Sequence, residues 1–95
     1  MTLLENTYKT LNEQNVVHSR EHFSEHFLKR NKNWYAYQTH KNRDFSLPTA
    51  VKFVGAVTEM LNKSDIDDAS KRALLHSKNS ITHYLQSSHN LFVLT

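Results

Sequence analysis

The chain has 95 residues and a net charge of +3, with 38% hydrophobic and 22% charged residues. This length allows one domain with a modest core, and the absence of cysteine excludes a disulfide framework and thiolate metal sites. A single glycine and a single proline, with no Asn-Gly or Asp-Gly pair, exclude a fold built on tight β-hairpins. The sequence therefore predicts an all-α fold, a compact bundle of about five helices.

Two helices are predicted in the first third of the chain. Thr2 and Glu5 have the spacing of a capping box, which favours a first helix over about residues 2–15. Ser19 is a suitable N-cap for a second, shorter helix over residues 20–28.

A turn at residues 29–31 and a third helix over about residues 32–41 are expected next, with Asn31 as its cap. Trp34 and Tyr37 lie three residues apart, so we expect both to face the core. The side chains then expected to point mostly outward are those of Lys32, Tyr35, Gln38 and Thr39.

The fourth helix is predicted to begin after Ser46, with Pro48 in its first turn, and to end near Leu61. An apolar stripe at helical spacing makes it the central helix of the bundle. The stripe consists of Leu47, Ala50, Val51, Val54, Val57 and Leu61, widened by Phe53, Ala56 and Met60.

The last third of the chain predicts one long helix and an apolar tail. Ser64 begins a second capping box, the helix is expected over about residues 65–87, and residues 91–94 are all apolar. With a core domain of about residues 1–62, the segment 64–95 is expected to form a homodimer. The alternative is that this helix closes a five-helix bundle.

Eighteen consecutive residues, His26 to Arg43, contain no acidic side chain. Five of them are lysine or arginine, interspersed with amides, hydroxyls and aromatic rings. Nucleic-acid-binding proteins use these groups to contact phosphates and base edges. The alternative is a solvated basic helix face in a chain whose pI is about 9.3.

The spacing of apolar residues around this basic window is typical of a helix-turn-helix. Phe23 and Phe27, then a turn, then Trp34 and Tyr37 supply the anchors of two short helices. Ser24 is small, as a close crossing of the two helices requires. The second helix is then free to enter the major groove of DNA.

Over about residues 19–61 the chain resembles the lambda-repressor-like (Cro/C1-type) DNA-binding domains. Phe23-Ser24 stands where that family has Leu-Ala, and Ser46-Leu47-Pro48 begins the helix that follows the recognition element. The turn glycine of the family is missing, and Leu28 or Lys29 stands in its place. The resemblance implies a helix-turn-helix that binds double-stranded DNA.

Eleven residues are the DNA-binding candidates that follow from this resemblance and from the chemistry of the window. Those implied to face the groove are Arg30, Asn31, Lys32, Tyr35, Ala36 and Thr39, followed by Asn33 and Gln38. Those better placed for phosphates are Lys29, Lys41 and Arg43.

A second motif, His22-Phe23-Ser24-Glu25-His26, matches the H-x-x-E-H string of inverted zinc peptidases, and His18 extends the row of histidines. A catalytic zinc needs a third ligand and a substrate cleft, for which a short helical chain has little room. Surface histidines are therefore expected, with no metal, no cofactor and no enzymatic activity.

The sequence thus predicts a small transcriptional regulator, a repressor in the simplest case, that binds duplex DNA through residues of about 30–41. The alternative is a helical protein-interaction module, such as an adaptor or an antitoxin-like partner. The chain has no signal peptide and no run near the ~18 apolar residues of a membrane span, so a cytoplasmic protein is expected.

Overall fold

The computed structural model describes residues 1–63 and 65–89, which form five α-helices and one π-helical turn, without a strand. The predicted all-α fold is confirmed. Within these ranges, no helix combines the length and the apolar character that a membrane span requires. The elements are α1 (Leu3–Glu13), α2 (Arg20–His22), the π turn (Phe23–Phe27) that continues α2 directly, α3 (Trp34–His40), α4 (Leu47–Leu61) and α5 (Asp68–His89).

The helices begin at polar side chains that bind their free N–H groups. Thr2 Oγ1 accepts from the Glu5 N–H at 3.1 Å, and Glu5 Oε1 accepts from the Thr2 N–H at 3.0 Å, so the first capping box is confirmed. Ser19 caps α2 and Ser46 caps α4, as predicted. Sequence alone therefore locates three of these helix starts to within a residue.

The start of α5 lies three residues later than predicted. Ser64 is outside the described residues, so its capping box is not described. Asp67 Oδ2 accepts from the Ser70 N–H at 3.2 Å. Hydrogen bonds from the side chain and then the backbone of Ser70 lower the pKa of the Asp67 carboxyl. The acidic cluster predicted at this helix terminus thus supplies the observed cap.

Three helical segments end at residues in the left-handed conformation, although none of these residues is glycine. They are Asn15 (φ 60°), Lys29 (φ 54°) and Asn42 (φ 55°). After Asn15, the Val16 N–H donates to the Leu11 carbonyl at 2.9 Å, which closes the helix end. Asparagine tolerates this conformation, whereas lysine occupies it at a steric cost.

Replacing Lys29 by glycine should raise the free energy of unfolding by about 1 kcal/mol, because glycine adopts φ > 0 without a Cβ clash. Urea unfolding measures this directly. Lys32→Gly is the matched control, since Lys32 is exposed in the same turn but has no positive φ. It should give no stabilisation. Equal effects at the two positions would contradict the role assigned to Lys29.

An aromatic cluster joins four elements of the fold. The Phe23 ring is fully buried, and its centroid lies 5.6 Å from that of Tyr8, 6.1 Å from Phe27, 5.5 Å from Tyr35 and 6.2 Å from Phe53. These residues come from α1, the π turn, α3 and α4. The position of α3 is therefore determined by packing against the centre of the core.

The α5 helix packs along α4 and against α1. Its buried side consists of Ala73, Leu74, Ser77, Ile81 and Leu85. This side closes the bundle, which is the alternative that the sequence left open for the last helix. The apolar tail at residues 91–94, on which the dimer prediction also depends, lies outside the described residues.

The predicted apolar stripe of α4 is wrong at Val51, which is 45% exposed. The helix is rotated so that Phe53 reaches the aromatic cluster, with ring centroids 5.7 Å from Phe45 and 6.4 Å from Phe27. The residues buried on α4 are Thr49, Ala50, Phe53, Ala56 and Val57.

Asp44, the first acid after the basic window, faces into the fold. Its carboxylate accepts from the Leu3 N–H at 3.0 Å, the Leu4 N–H at 2.8 Å and the Phe45 N–H at 2.8 Å. Two of these donors are free N–H groups at the start of α1. Asp44 therefore attaches the segment after α3 to the first helix.

Candidate nucleic-acid interface

Ser24 connects the π turn to α3. Its side chain is fully buried, and its Oγ accepts from the Tyr35 N–H at 3.0 Å. Its carbonyl accepts from the Arg30 N–H at 2.9 Å. One residue thus binds both ends of the connection, which explains why a small polar side chain stands at the crossing of the two helical segments.

The inward residues of α3 differ from those predicted. Tyr35 is 5% exposed and Gln38 is 7% exposed, whereas Tyr37 is 52% exposed and Trp34 is only half-buried. The predictions that Tyr37 faces the core, and that Tyr35 and Gln38 face outward, are therefore wrong, whereas half-buried Trp34 does pack against the core. Both buried positions lie one residue later in the chain than expected.

Contacts with the π turn and α1 are the physical reason for this displacement. The Tyr35 N–H donates to Ser24 Oγ at 3.0 Å, and the Tyr35 ring centroid lies 5.5 Å from that of Phe23 and 4.9 Å from that of Tyr8. The π turn itself is closed by a hydrogen bond from the Leu28 N–H to the Phe23 carbonyl, five residues back rather than four, at 3.1 Å. Burial raises the pKa of Tyr35 to about 12, with Glu5 adding to the effect, so this phenol stays protonated.

The solvent-exposed side of α3 is formed by Asn33, Ala36, Tyr37 and His40, which recur at helical spacing. We call these four residues the outward face of α3. The Lys41 Nζ lies 5.7 Å from the centroid of the Tyr37 ring. The face therefore combines an amide, a methyl group, a phenol and an imidazole, and it has a cation at its end.

Arg30 occupies a supporting position. Its Nε donates to Thr49 Oγ1 at 3.0 Å, and its guanidinium lies 5.9 Å from the Trp34 ring centroid. Thr49 is fully buried on α4 and also accepts from the Ser46 hydroxyl at 2.8 Å. Arg30 therefore helps to attach the turn to α4, and its contact with the groove stays a prediction.

The structure leaves most of the predicted DNA-binding residues exposed to solvent and buries others. Those exposed to solvent are Lys29, Asn31, Lys32, Asn33, Ala36, Lys41 and Arg43. Thr39 is half-buried and donates to the Tyr35 carbonyl at 3.0 Å. Tyr35 and Gln38 are buried, and Gln38 Nε2 donates to the Asp44 carbonyl at 3.3 Å.

Tyr37 and His40 were missed as candidates. The sequence holds two pairs of residues three apart, Trp34/Tyr37 and Tyr35/Gln38, and helical spacing does not distinguish between them. The more apolar pair is the natural choice for the core. Lys29 has a left-handed backbone although it is not glycine, and its residue type does not reveal this. No signal in the chain therefore indicates which pair of residues on α3 is buried.

Three histidines form a stack beside the π turn. Ring centroids of His18 and His22 are 4.8 Å apart, as are those of His22 and His26, and His22 Nδ1 accepts from the His18 N–H at 3.1 Å. Lys29 and Glu59 line the same cleft. Among residues 1–63 and 65–89, no three His, Asp or Glu side chains are arranged to hold a metal ion.

Acidification should weaken the fold through His22. Burial, followed by the charges of His18 and His26, lowers its pKa from the ordinary 6.5. The contribution of His22 to the free energy of unfolding is therefore complete above pH 6.5, where this side chain is neutral in both the folded and the unfolded state. It falls at lower pH, as the unfolded state takes up the proton first. Protonation at Nδ1 also removes the bond from the His18 N–H.

Thermal unfolding measures this contribution. From about pH 7.5 to about pH 5.5, the melting temperature should fall less in His22→Asn than in the wild type, because asparagine cannot titrate. His76→Asn, at an exposed histidine of α5, is the control and should keep the wild-type pH dependence. Equal pH dependence in all three proteins would contradict the role of His22.

The molecule is an all-helical fold whose α3 is preceded by Lys29, Arg30 and Lys32 and followed by Lys41 and Arg43. The chain belongs to a protein family described as "Family of unknown function (DUF6626)", whose model matches residues 4–90. No curated protein and no solved structure matches it.

Proposed function

We propose that this chain is a small cytoplasmic transcriptional regulator that binds double-stranded DNA, with the outward face of α3 in the major groove. Repression by occupation of a promoter is the simplest mechanism for a chain of this size. The observation that carries the proposal is the arrangement of the basic window. Phe27 and Tyr35 are buried, and the exposed side chains of the window are amides, a phenol, an alanine methyl group, two histidines and cations, with no acid among them.

The two kinds of DNA contact fall to different residues. Asn33, Tyr37 and His40 stand on one helical face, from which their polar atoms can reach base edges. The exposed cations around that face contact phosphates and set the orientation on the duplex. They are Lys29, Lys32, Lys41 and Arg43.

A salt series tests the proposal. Binding to duplex DNA by four exposed cations should release counterions, so the logarithm of the association constant should fall against the logarithm of salt with a slope of about −3 to −4. Selection from random duplex DNA identifies the sequence to use. Absence of binding to any duplex, or a slope near zero, would refute the proposal.

A protein-interaction module is the second candidate, and the exposure of Tyr37 favours it. A phenol 52% exposed beside half-buried Trp34 is suited to anchor a protein partner. Retention on a duplex-DNA resin distinguishes the two. If Lys32→Ala is retained as strongly as the wild type, and Tyr37→Ala is as well, the interaction module is favoured over DNA binding.

A further inference from the structure

Gly55, the single glycine of the chain, lies in the middle of α4. Neither the packing nor the backbone conformation of the protein requires glycine at this position. Its backbone does not have a positive φ, and a Cβ added there would meet no atom within 4 Å. Glycine in a helix interior costs about 1 kcal/mol relative to alanine. The position is exposed, so the space that glycine leaves lies on the surface of the helix.

The surface around Gly55 also exposes an apolar side chain. Val51, one turn earlier on the same face, is 45% exposed, whereas Phe53, Ala56 and Val57 of α4 are buried. Lys52 and Glu59 complete this surface, which we call the Gly55 face. It combines one exposed apolar side chain with one charge of each sign.

The charges of the Gly55 face are complementary to those of the same face on a second copy of the chain. Lys52 precedes Gly55 by three residues and Glu59 follows it by four, so the two lie about 10 Å apart along the helix axis. If two copies pack antiparallel about a two-fold axis at Gly55, Lys52 of each copy lies beside Glu59 of the other.

We propose that two copies of this chain associate through their Gly55 faces, with α4 against α4. A two-fold interface requires a self-complementary surface, and opposite charges on either side of a glycine satisfy that requirement. The buried side of α5 is used within the bundle, so it is not the surface that pairs. One helix face is a small interface, and we expect a weak dimer.

Sedimentation equilibrium over a concentration series tests this dimer without DNA, so its outcome is separate from that of the proposed function. The wild type should dimerise. Gly55→Gln should weaken association by about tenfold or more, because the added side chain prevents close approach, and should keep or raise the melting temperature. Lys52→Glu should weaken association by about tenfold through two symmetry-related like-charge contacts.

The charge swap is the decisive variant. Glu59→Lys should weaken association as Lys52→Glu does, whereas the double variant K52E/E59K should restore it, because each pair is complementary again. Leu75→Lys, at an exposed leucine of α5, is the control and should dimerise as the wild type does. A monomeric wild type, a double variant that stays dissociated, or dissociation by Leu75→Lys would overturn the proposal.

Discussion

Alanine at Tyr37 is expected to cost about 1–3 kcal/mol of binding free energy at a selected DNA site, if the phenol contacts a base edge. The loss should be small on unselected DNA, because a base contact carries sequence preference whereas a phosphate contact does not. Fluorescence anisotropy with both duplexes measures the two affinities. Tyr37→Phe distinguishes the hydroxyl from the ring and should lose the preference while keeping most of the affinity.

Lys32 should behave differently at the same surface. Lys32→Ala is expected to weaken binding to both duplexes by a similar factor and to reduce the salt slope by about 1. Lys71→Ala on α5 is the matched control, since Lys71 is equally exposed but belongs to another helix. If the Lys71 variant loses as much affinity as the Lys32 variant, the contact is not confined to the basic window.

The fold should tolerate the change at Tyr37 because that ring is 52% exposed. The melting temperature of Tyr37→Ala should therefore stay close to that of the wild type. Tyr35→Ala would instead remove a buried ring from the core, so loss of DNA binding in that variant would not identify a contact. This contrast between neighbours is the practical result of the displaced register of α3.

Phe23→Ala is expected to lower the free energy of unfolding by about 3–5 kcal/mol. The ring is fully buried and lies within 5.5–6.2 Å, centroid to centroid, of three neighbours outside the π turn: Tyr8, Tyr35 and Phe53. Truncation leaves a cavity between three helices. For a domain whose total stability is about 5–15 kcal/mol, this is a large fraction.

Chemical unfolding followed by circular dichroism measures the loss, and Phe23→Leu keeps the measurement in range. Leucine retains most of the apolar volume and should cost about 1–2 kcal/mol. Loss of the near-ultraviolet aromatic signal should accompany the alanine change. If Phe23→Ala unfolds at the same urea concentration as the wild type, the cluster around Phe23 is not the centre of the core.

Much of the fold was predictable because helix starts depend on local chemistry. Thr2, Ser19 and Ser46 cap their helices as residue type and spacing indicate. The same local rules identified residues 29–31 as a turn. These features need no knowledge of the tertiary structure.

The candidate site was predicted less well because the orientation of α3 depends on the tertiary contacts of Tyr35 with Ser24, Phe23 and Tyr8. No residue type in Phe23-Ser24-Glu25-His26-Phe27 indicates a hydrogen bond between residues five apart. The burial of polar Gln38 is the opposite of what its low hydrophobicity predicts. Gln38 is tolerated inside because the Asp44 carbonyl accepts from its amide. Tertiary partners, rather than residue types, decide which side of α3 faces solvent.

The bonds from Asp44 to the start of α1 affect when this protein can fold during synthesis. The acceptor follows its donors by 40 and 41 residues, so the first helix leaves the ribosome long before the carboxylate that satisfies its N-terminus. A nascent chain that stops before residue 44 lacks this attachment. Stable docking of α1 therefore waits for the segment after α3, and translation must pass the whole basic window first.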